Sequence, residues 1–185
     1  MWKRLSPAQS ILLFFALAIF IGSVLLSLPF ASVAPAGYLV NLFTAASAVC
    51  VTGLTVVPTG EHFTLFGQLV ILVLLQIGAL GYVTFATSAG ILLGKLPLKE
   101  RLAIREVINP ASFEGLLVLL KRIVKIAFLI EFIGACILAF LFSRYFTTAR
   151  AVYLGVFHSV SAFANAGFSI FPNSFENFGN DFAIM

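Results

Sequence analysis

Residues 10–30 read SILLFFALAIFIGSVLLSLPF, twenty-one positions without a charge. At 1.5 Å per residue a helix of that length covers a hydrocarbon core of about 30 Å, so the run predicts a first spanning helix. Lys3 and Arg4 ahead of it and the small residues Ser32 and Ala34 behind it also suit a cleaved signal sequence. A signal core is only about 7 to 15 residues, however, and more apolar runs follow. Residues 38–50 are apolar, rich in small side chains and thirteen long, too short to cross, which predicts a buried core helix or a re-entrant half-helix. Residues 51–55, Val-Thr-Gly-Leu-Thr, set β-branched side chains around a glycine, a pattern that predicts extended backbone with a permissive centre. Residues 65–94 carry no charge over thirty positions, enough for a second span that tilts or projects. Gly90 and Gly94 within it have the spacing that lets two helices approach closely. Residues 95–109 turn polar and predict an aqueous loop; residues 126–142 predict a third span, interrupted by Glu131. Residues 151–164 are again short and apolar, and residues 165–169, Asn-Ala-Gly-Phe-Ser, again centre a glycine.

These recurrences share one register. Placing Gly53 on Gly167 fixes an offset of 114 and aligns residues 39–58 with 153–172 without a gap, with identities at Phe43/Phe157, Ser47/Ser161, Ala48/Ala162, Gly53/Gly167 and Pro58/Pro172. The same offset carries residues 11–30 onto 125–144, so the unit is helix, half-helix, strand, helix. Two units are expected, residues 1–112 with their polar loop and residues 113–185. Applied to residues 65–94, the offset puts a closing helix at 179–208, past the last residue. The second unit is therefore expected to lack its closing helix, as in a truncated chain, because an open unit would leave backbone unsatisfied in lipid.

Composition removes the soluble alternative. Of 185 residues, 61% are apolar and 10% charged, and the mean hydropathy is +1.11, against about 25% charged residues in a soluble domain. Cys50 and Cys136 lie in apolar runs without metal-ligand spacing, so neither a metal site nor a disulfide framework is indicated. If the short segments re-enter, nine basic residues (Lys3, Arg4, Lys95, Lys99, Arg101, Arg105, Lys121, Arg122, Lys125) share one face, and Arg144 and Arg150 take the other. By the positive-inside rule the amino terminus and the loop at Lys95 are then cytoplasmic in a multi-pass plasma-membrane protein.

Non-helical backbone at membrane depth is tolerated only when packed in protein or facing a water-filled path. A half-helix whose carboxyl end points inward brings a partial negative charge that favours a cation, and the strand after it can offer carbonyl oxygens in place of an ion's hydration shell. The candidate ligands are the backbone carbonyls of Val51, Thr52, Gly53 and Leu54 and of Asn165, Ala166, Gly167 and Phe168, with K⁺ as the ion and no side-chain metal site. Four strands would close such a ring and this chain supplies two. The alternative for these glycines is a plain helix break between packed segments.

The residues also resemble a known family. Leu5-Ser6-Pro7-Ala8-Gln9, TAASAVCVTGLTVV at 44–57, HFTLFGQLVILVLLQIGALG at 62–81 and FHSVSAFANAGFS at 157–169 are similar to the Trk/Ktr/HKT potassium transporters, in particular their KtrB-type membrane subunits. The resemblance covers essentially the whole chain and would make it the amino-terminal part of such a subunit. It implies an all-α, potassium-channel-like membrane fold of repeated helix, pore half-helix and filter strand, and helix. It further implies K⁺ uptake driven by the membrane potential, no cofactor, pairing as a homodimer, and a cytoplasmic nucleotide-binding ring of KtrA type as partner. Glycine at both 53 and 167 implies the K⁺-selective form. Ala79, Pro58 and Ala164 depart from the family pattern without removing a filter carbonyl.

Other readings stay open on the residues alone. A secondary carrier with broken helices could bind another solute or Na⁺ near the midplane, although such half-helices commonly aim their amino ends at anions. An intramembrane hydrolase would need Ser159 or Ser161 beside His158 as nucleophile and base. No nucleotide-binding signature or placed catalytic pair appears, so no enzyme is expected, and no nucleic acid partner either. Glu131, inside a span, is expected to face the interior, pairing with a neighbouring group more readily than steering a cation. His158 is expected to pack or hydrogen-bond, and the side chains of Thr52 and Asn165 to stand behind the strand. Lys121, Arg122 and Lys125 suit a solvated or lipid-headgroup face.

Overall fold

A computed structural model of the chain describes residues 7–92 and 113–178. Among the described residues six helices run in order: α1 (Pro7–Leu26), α2 (Tyr38–Val49), α3 (Thr59–His62), α4 (Leu65–Leu92), α5 (Phe113–Phe142) and α6 (Thr148–Phe163), before a 3-10 turn at Glu176–Phe178. The polar loop at 95–109, Gly94, the basic residues Lys3 and Arg4 and the tail from 179 lie outside the described residues.

The first run stays apolar to Phe30, yet α1 stops at Leu26. There the hydroxyls of Ser23 and Ser27 donate back to the carbonyls of Phe20 and Ser23 at 2.8 and 2.7 Å, and Pro29 cannot supply the next backbone donor. α2 matches the short apolar run, with Cys50 as its C-cap. α4 fills 28 residues of the second charge-free run, about 42 Å of helix. α5 is longer than its apolar core: Lys121, Arg122 and Lys125 lie within a continuous 30-residue helix instead of leading into it. Its stretch Lys121–Phe142 is long and apolar enough to cross a membrane. α6 begins at Thr148, three residues before its apolar run, because Thr147 enters in extended backbone and its carbonyl takes the Ala151 amide at 2.8 Å.

No strand forms among the described residues. An isolated antiparallel bridge pairs Ser32 with Phe63, through Val33 N–H to the His62 carbonyl (2.8 Å) and Thr64 N–H to the Ala31 carbonyl (3.0 Å). It ties the turn after α1 to the start of α4. The segments 51–55 and 165–169, expected as strands, are loops, because their backbone finds no neighbouring chain with which to build a ladder.

One apolar core joins both halves of the sequence. Leu26, Ala45, Ala48, Val49, Phe63, Ile71 and Leu75 pack with Phe157, Val160, Ala166 and Phe168. Helix α4 makes this possible. Its Gly78 lies against the Val49 carbonyl and the Val51 side chain, a place any Cβ would fill. Two glutamines on α4 then reach across. Gln68 Nε2 donates to the Phe63 carbonyl at 2.7 Å while its Oε1 accepts the Tyr153 hydroxyl at 2.6 Å. Gln76 Nε2 donates to both carboxyl oxygens of Glu131, at 2.9 and 3.1 Å. The partner of this buried glutamate is thus an amide on a neighbouring helix, and its backbone carbonyl takes the Ser159 hydroxyl at 2.7 Å. Outward faces of α1 and α5 expose large apolar side chains, among them Leu12, Phe14, Phe20, Phe132 and Phe140, as a lipid-facing surface does.

Replacing Gln76 with Leu leaves the Glu131 carboxyl buried without a donor and is expected to lower unfolding stability by about 1–3 kcal/mol. Adding Glu131→Leu removes the orphan and should recover most of that loss. Thermal midpoints of the intact protein in detergent check this; a double variant no more stable than the single one would refute the pairing.

Candidate functional site

The two glycine-centred loops follow the C-termini of α2 and α6, and their backbones repeat bond for bond. Beyond the C-cap Cys50, the Val51 amide bonds to the Ala48 carbonyl at 3.2 Å and the Thr52 amide to the Ser47 carbonyl at 2.9 Å. Beyond the C-cap Ala164, the Asn165 amide bonds to Ala162 at 2.9 Å and the Ala166 amide to Ser161 at 2.8 Å. This pair of bonds is a Schellman closure. It demands a left-handed residue at the first loop position, and Val51 (φ 55°) and Asn165 (φ 54°) supply it. Two residues later Gly53 (φ 77°) and Gly167 (φ 70°) are left-handed again. All four positions obey the offset of 114.

The sequence pattern misses this closure because the usual signal is glycine at the left-handed position. Asn165 is the next most tolerant choice there and is a legible cue. Val51 is not, since a β-branched residue in that region is an outlier. It is held by packing: its side chain presses on the backbone of Gly78. Polar residues within an apolar helix, Gln68 and Gln76, were the other available signal.

The loops touch each other. A Cβ built on Gly53 would collide with the carbonyl oxygen of Ala166 and stand 3.3 Å from the Gly167 α-carbon, whereas a Cβ on Gly167 would stand 3.6 Å from the Gly53 α-carbon. Further along, Gly60 of α3 meets the Ile170 carbonyl in the same manner. Of the eight candidate carbonyls, those of Val51, Thr52, Gly53, Leu54, Asn165, Ala166 and Gly167 accept no hydrogen bond among the described residues, and that of Phe168 accepts the Ser161 hydroxyl at 2.6 Å. Side chains differ more than backbone: Leu54 is 61% exposed, whereas Phe168 at the matching position is 2% exposed within the shared core. The Thr52 hydroxyl turns back to the Ser47 carbonyl at 3.4 Å, behind its loop, while Asn165 is exposed.

The residues of the hydrolase alternative do not assemble. Ser159 donates to the Glu131 carbonyl and Ser161 to the Phe168 carbonyl, both away from His158. The two His158 ring nitrogens meet the Leu154 carbonyl at 2.8 Å and the Ser169 hydroxyl at 3.1 Å. Among the described residues no group of histidine, cysteine and carboxylate side chains could hold a metal ion.

A helical architecture with lipid-type outer faces and two matched helix breaks is that of an all-α membrane protein. Residues 7–185 match the family model described as TrkH, cation transport protein, and the chain belongs to that family, one of transporters and not of enzymes. It is 42% identical over 181 residues to Ktr system potassium uptake protein B of Bacillus subtilis, covering 97% of this chain and 41% of that protein. It is 40% identical over 187 residues to Ktr system potassium uptake protein D of the same organism, covering 99% and 42%. The potassium/sodium uptake protein NtpJ of Enterococcus hirae is 39% identical over 175 residues, covering 93% and 39%. The chain spans about two fifths of the length of these relatives. The resemblance read from the sequence is therefore correct at the level of a KtrB-like member of the Trk/Ktr group.

Left-handed backbone makes alanine unfavourable at either glycine by about 1–2 kcal/mol, but only at Gly53 does the new methyl also meet a carbonyl, adding about 1–3 kcal/mol. Gly53→Ala is thus expected to lower the thermal midpoint more than Gly167→Ala. Equal shifts for the two variants would contradict the contact between the loops.

Proposed function

We propose that this chain forms part of the membrane subunit of a potassium uptake system and conducts K⁺ inward along the carbonyls of its two glycine loops. The observation that carries the reading is the paired geometry: two helices end in the same closure and present seven carbonyls with no hydrogen-bond partner among the described residues, beside two touching glycines. Such oxygens at membrane depth need a ligand in water's place, and an alkali cation supplies one. The carboxyl ends of α2 and α6 precede the loops and add partial negative charge. The membrane potential drives entry by about 2.3 kcal/mol per charge per 100 mV.

Names of the relatives support K⁺ as cargo: two are potassium uptake proteins of a Ktr system and a third is named for potassium and sodium. That third name favours a second reading in which Na⁺ shares the path. Two touching loops form one wall of a path, so its other walls come from further chain or another copy. With two repeats, 1–112 and 113–185, the charge asymmetry of the sequence supports an orientation with the amino terminus and the basic residues of α5 on the cytoplasmic side. A homodimer on a KtrA-like cytoplasmic ring follows from the family resemblance, and the Ktr system names agree with a multi-component assembly.

Gly53→Ser in the intact transporter is expected to let Na⁺ compete with K⁺, because a side chain at this left-handed position displaces the Ala166 carbonyl that touches it. Uptake of K⁺ measured against rising Na⁺ checks this, and discrimination equal to wild type would remove Gly53 from the ion path.

A further inference from the structure

The two loops share a backbone but not a brace. Behind the second loop stands His158 on α6, 3% exposed. Its Nδ1 lies 2.8 Å from the Leu154 carbonyl, which can only accept, so Nδ1 carries the proton and Nε2 is an acceptor. Nε2 therefore receives the Ser169 hydroxyl at 3.1 Å, and the same oxygen accepts the Phe171 amide at 3.1 Å. The imidazole stacks on Phe171 with centroids 4.6 Å apart and planes at 15°, and Phe142 and Phe175 close its edges at 5.9 and 5.0 Å. Through the Ser169 hydroxyl, which also takes the Phe171 amide, the ring thus ties down the backbone just after Gly167, while Ser161 fixes Phe168.

The first loop has the beginning of this device and not its end. Thr44, at the position matching His158, donates to the Val40 carbonyl at 2.9 Å, the counterpart of the Leu154 bond. It is too short to go further, and Thr55 and Val57 make no side-chain hydrogen bond among the described residues. Ser47, matching Ser161, is buried with no partner for its hydroxyl.

We propose that His158 is a positioning residue for ion selectivity: through Ser169 it holds the backbone after Gly167, so that the second loop is the stiff wall of the path and the first the compliant one. The proposal rests on the reading of the loops as the ion path. Selectivity by cavity size and selectivity by carbonyl field both depend on where the carbonyls stand, so slackening this brace changes discrimination without removing a ligand.

The test uses the intact transporter in proteoliposomes, measuring K⁺ and Na⁺ uptake together with the thermal midpoint. His158→Phe keeps the ring within its aromatic surround and deletes both hydrogen bonds; Ser169→Ala deletes the hydroxyl. Each is expected to lower K⁺ over Na⁺ discrimination about three- to tenfold, the worth of one buried hydrogen bond. Combining them should cost no more than the larger single effect, and Ser169→Thr, which retains the hydroxyl, should stay at the wild-type ratio. If His158→Phe fails to accumulate, the Ser169 pair decides alone. Wild-type discrimination in Ser169→Ala, or a loss in Ser169→Thr as large as in Ser169→Ala, overturns the brace. Gly53→Ser in the same assay separates the two ideas. A shift there with a silent Ser169→Ala removes only the brace, and silence in both removes the ion path as well.

Discussion

A helix that stops in apolar surroundings leaves the carbonyls of its last turn without partners, and this constraint organises the molecule. At the ends of α2 and α6 the chain answers with the same closure, using the amides of 51, 52, 165 and 166 to cover carbonyls of the final turn. Folding back in this way forces left-handed backbone immediately after the helix, and forces it upon Val51, a residue ill suited to it. Amides used by the closure are no longer available to the loops beyond. Oxygens without a hydrogen-bond partner among the described residues are thereby collected around the two glycines instead of being spread along the helix ends.

Holding two such breaks together falls to α4. Its small residue at 78 admits the end of α2, and its glutamines reach the second half of the chain at Tyr153 and Glu131. Hydrocarbon gives helices little reason to associate, so close packing and buried hydrogen bonds carry more of the specificity there than in water. Gln76 and Glu131 satisfy each other inside the protein. The Glu131 carboxyl, which the sequence suggested would pair with a neighbouring group more readily than steer a cation, is occupied by the Gln76 amide and joins α4 to α5.

Much of this was legible in the residues. Charge-free runs of spanning length located α1, α4 and α5, and run length separated α2 and α6 from them, because apolar length is what lipid selects. The offset of 114 located both glycine loops, and the same offset relates their backbone angles. Strand was the wrong conformation for them. β-branched residues around Gly53 express a preference for extended chain, but a strand needs a partner ladder, and the closure of the preceding helix takes the first residue into left-handed space. Helix ends shifted where local hydroxyls and Pro29 intervened. The cross-links of α4 were not legible, since one sequence shows which residues are polar within a span but not which distant group they meet.

Equal backbones with unequal surroundings are the more informative result. Repetition of the closure and of both glycine angles argues that the loop conformation is set locally, by the helix end and the glycine, and not by neighbours. Neighbours then decide how firmly each copy is held. Phe168 sits in the core between the two halves of the chain, whereas Leu54, its counterpart, lies mostly exposed. The aromatic surround of His158 is likewise built from α5 and the segment after the second loop, whereas the Thr44 hydroxyl turns back to the Val40 carbonyl. The two loops thus keep their backbone alike while their supports diverge, and the divergence lies in the residues that the internal alignment leaves unmatched.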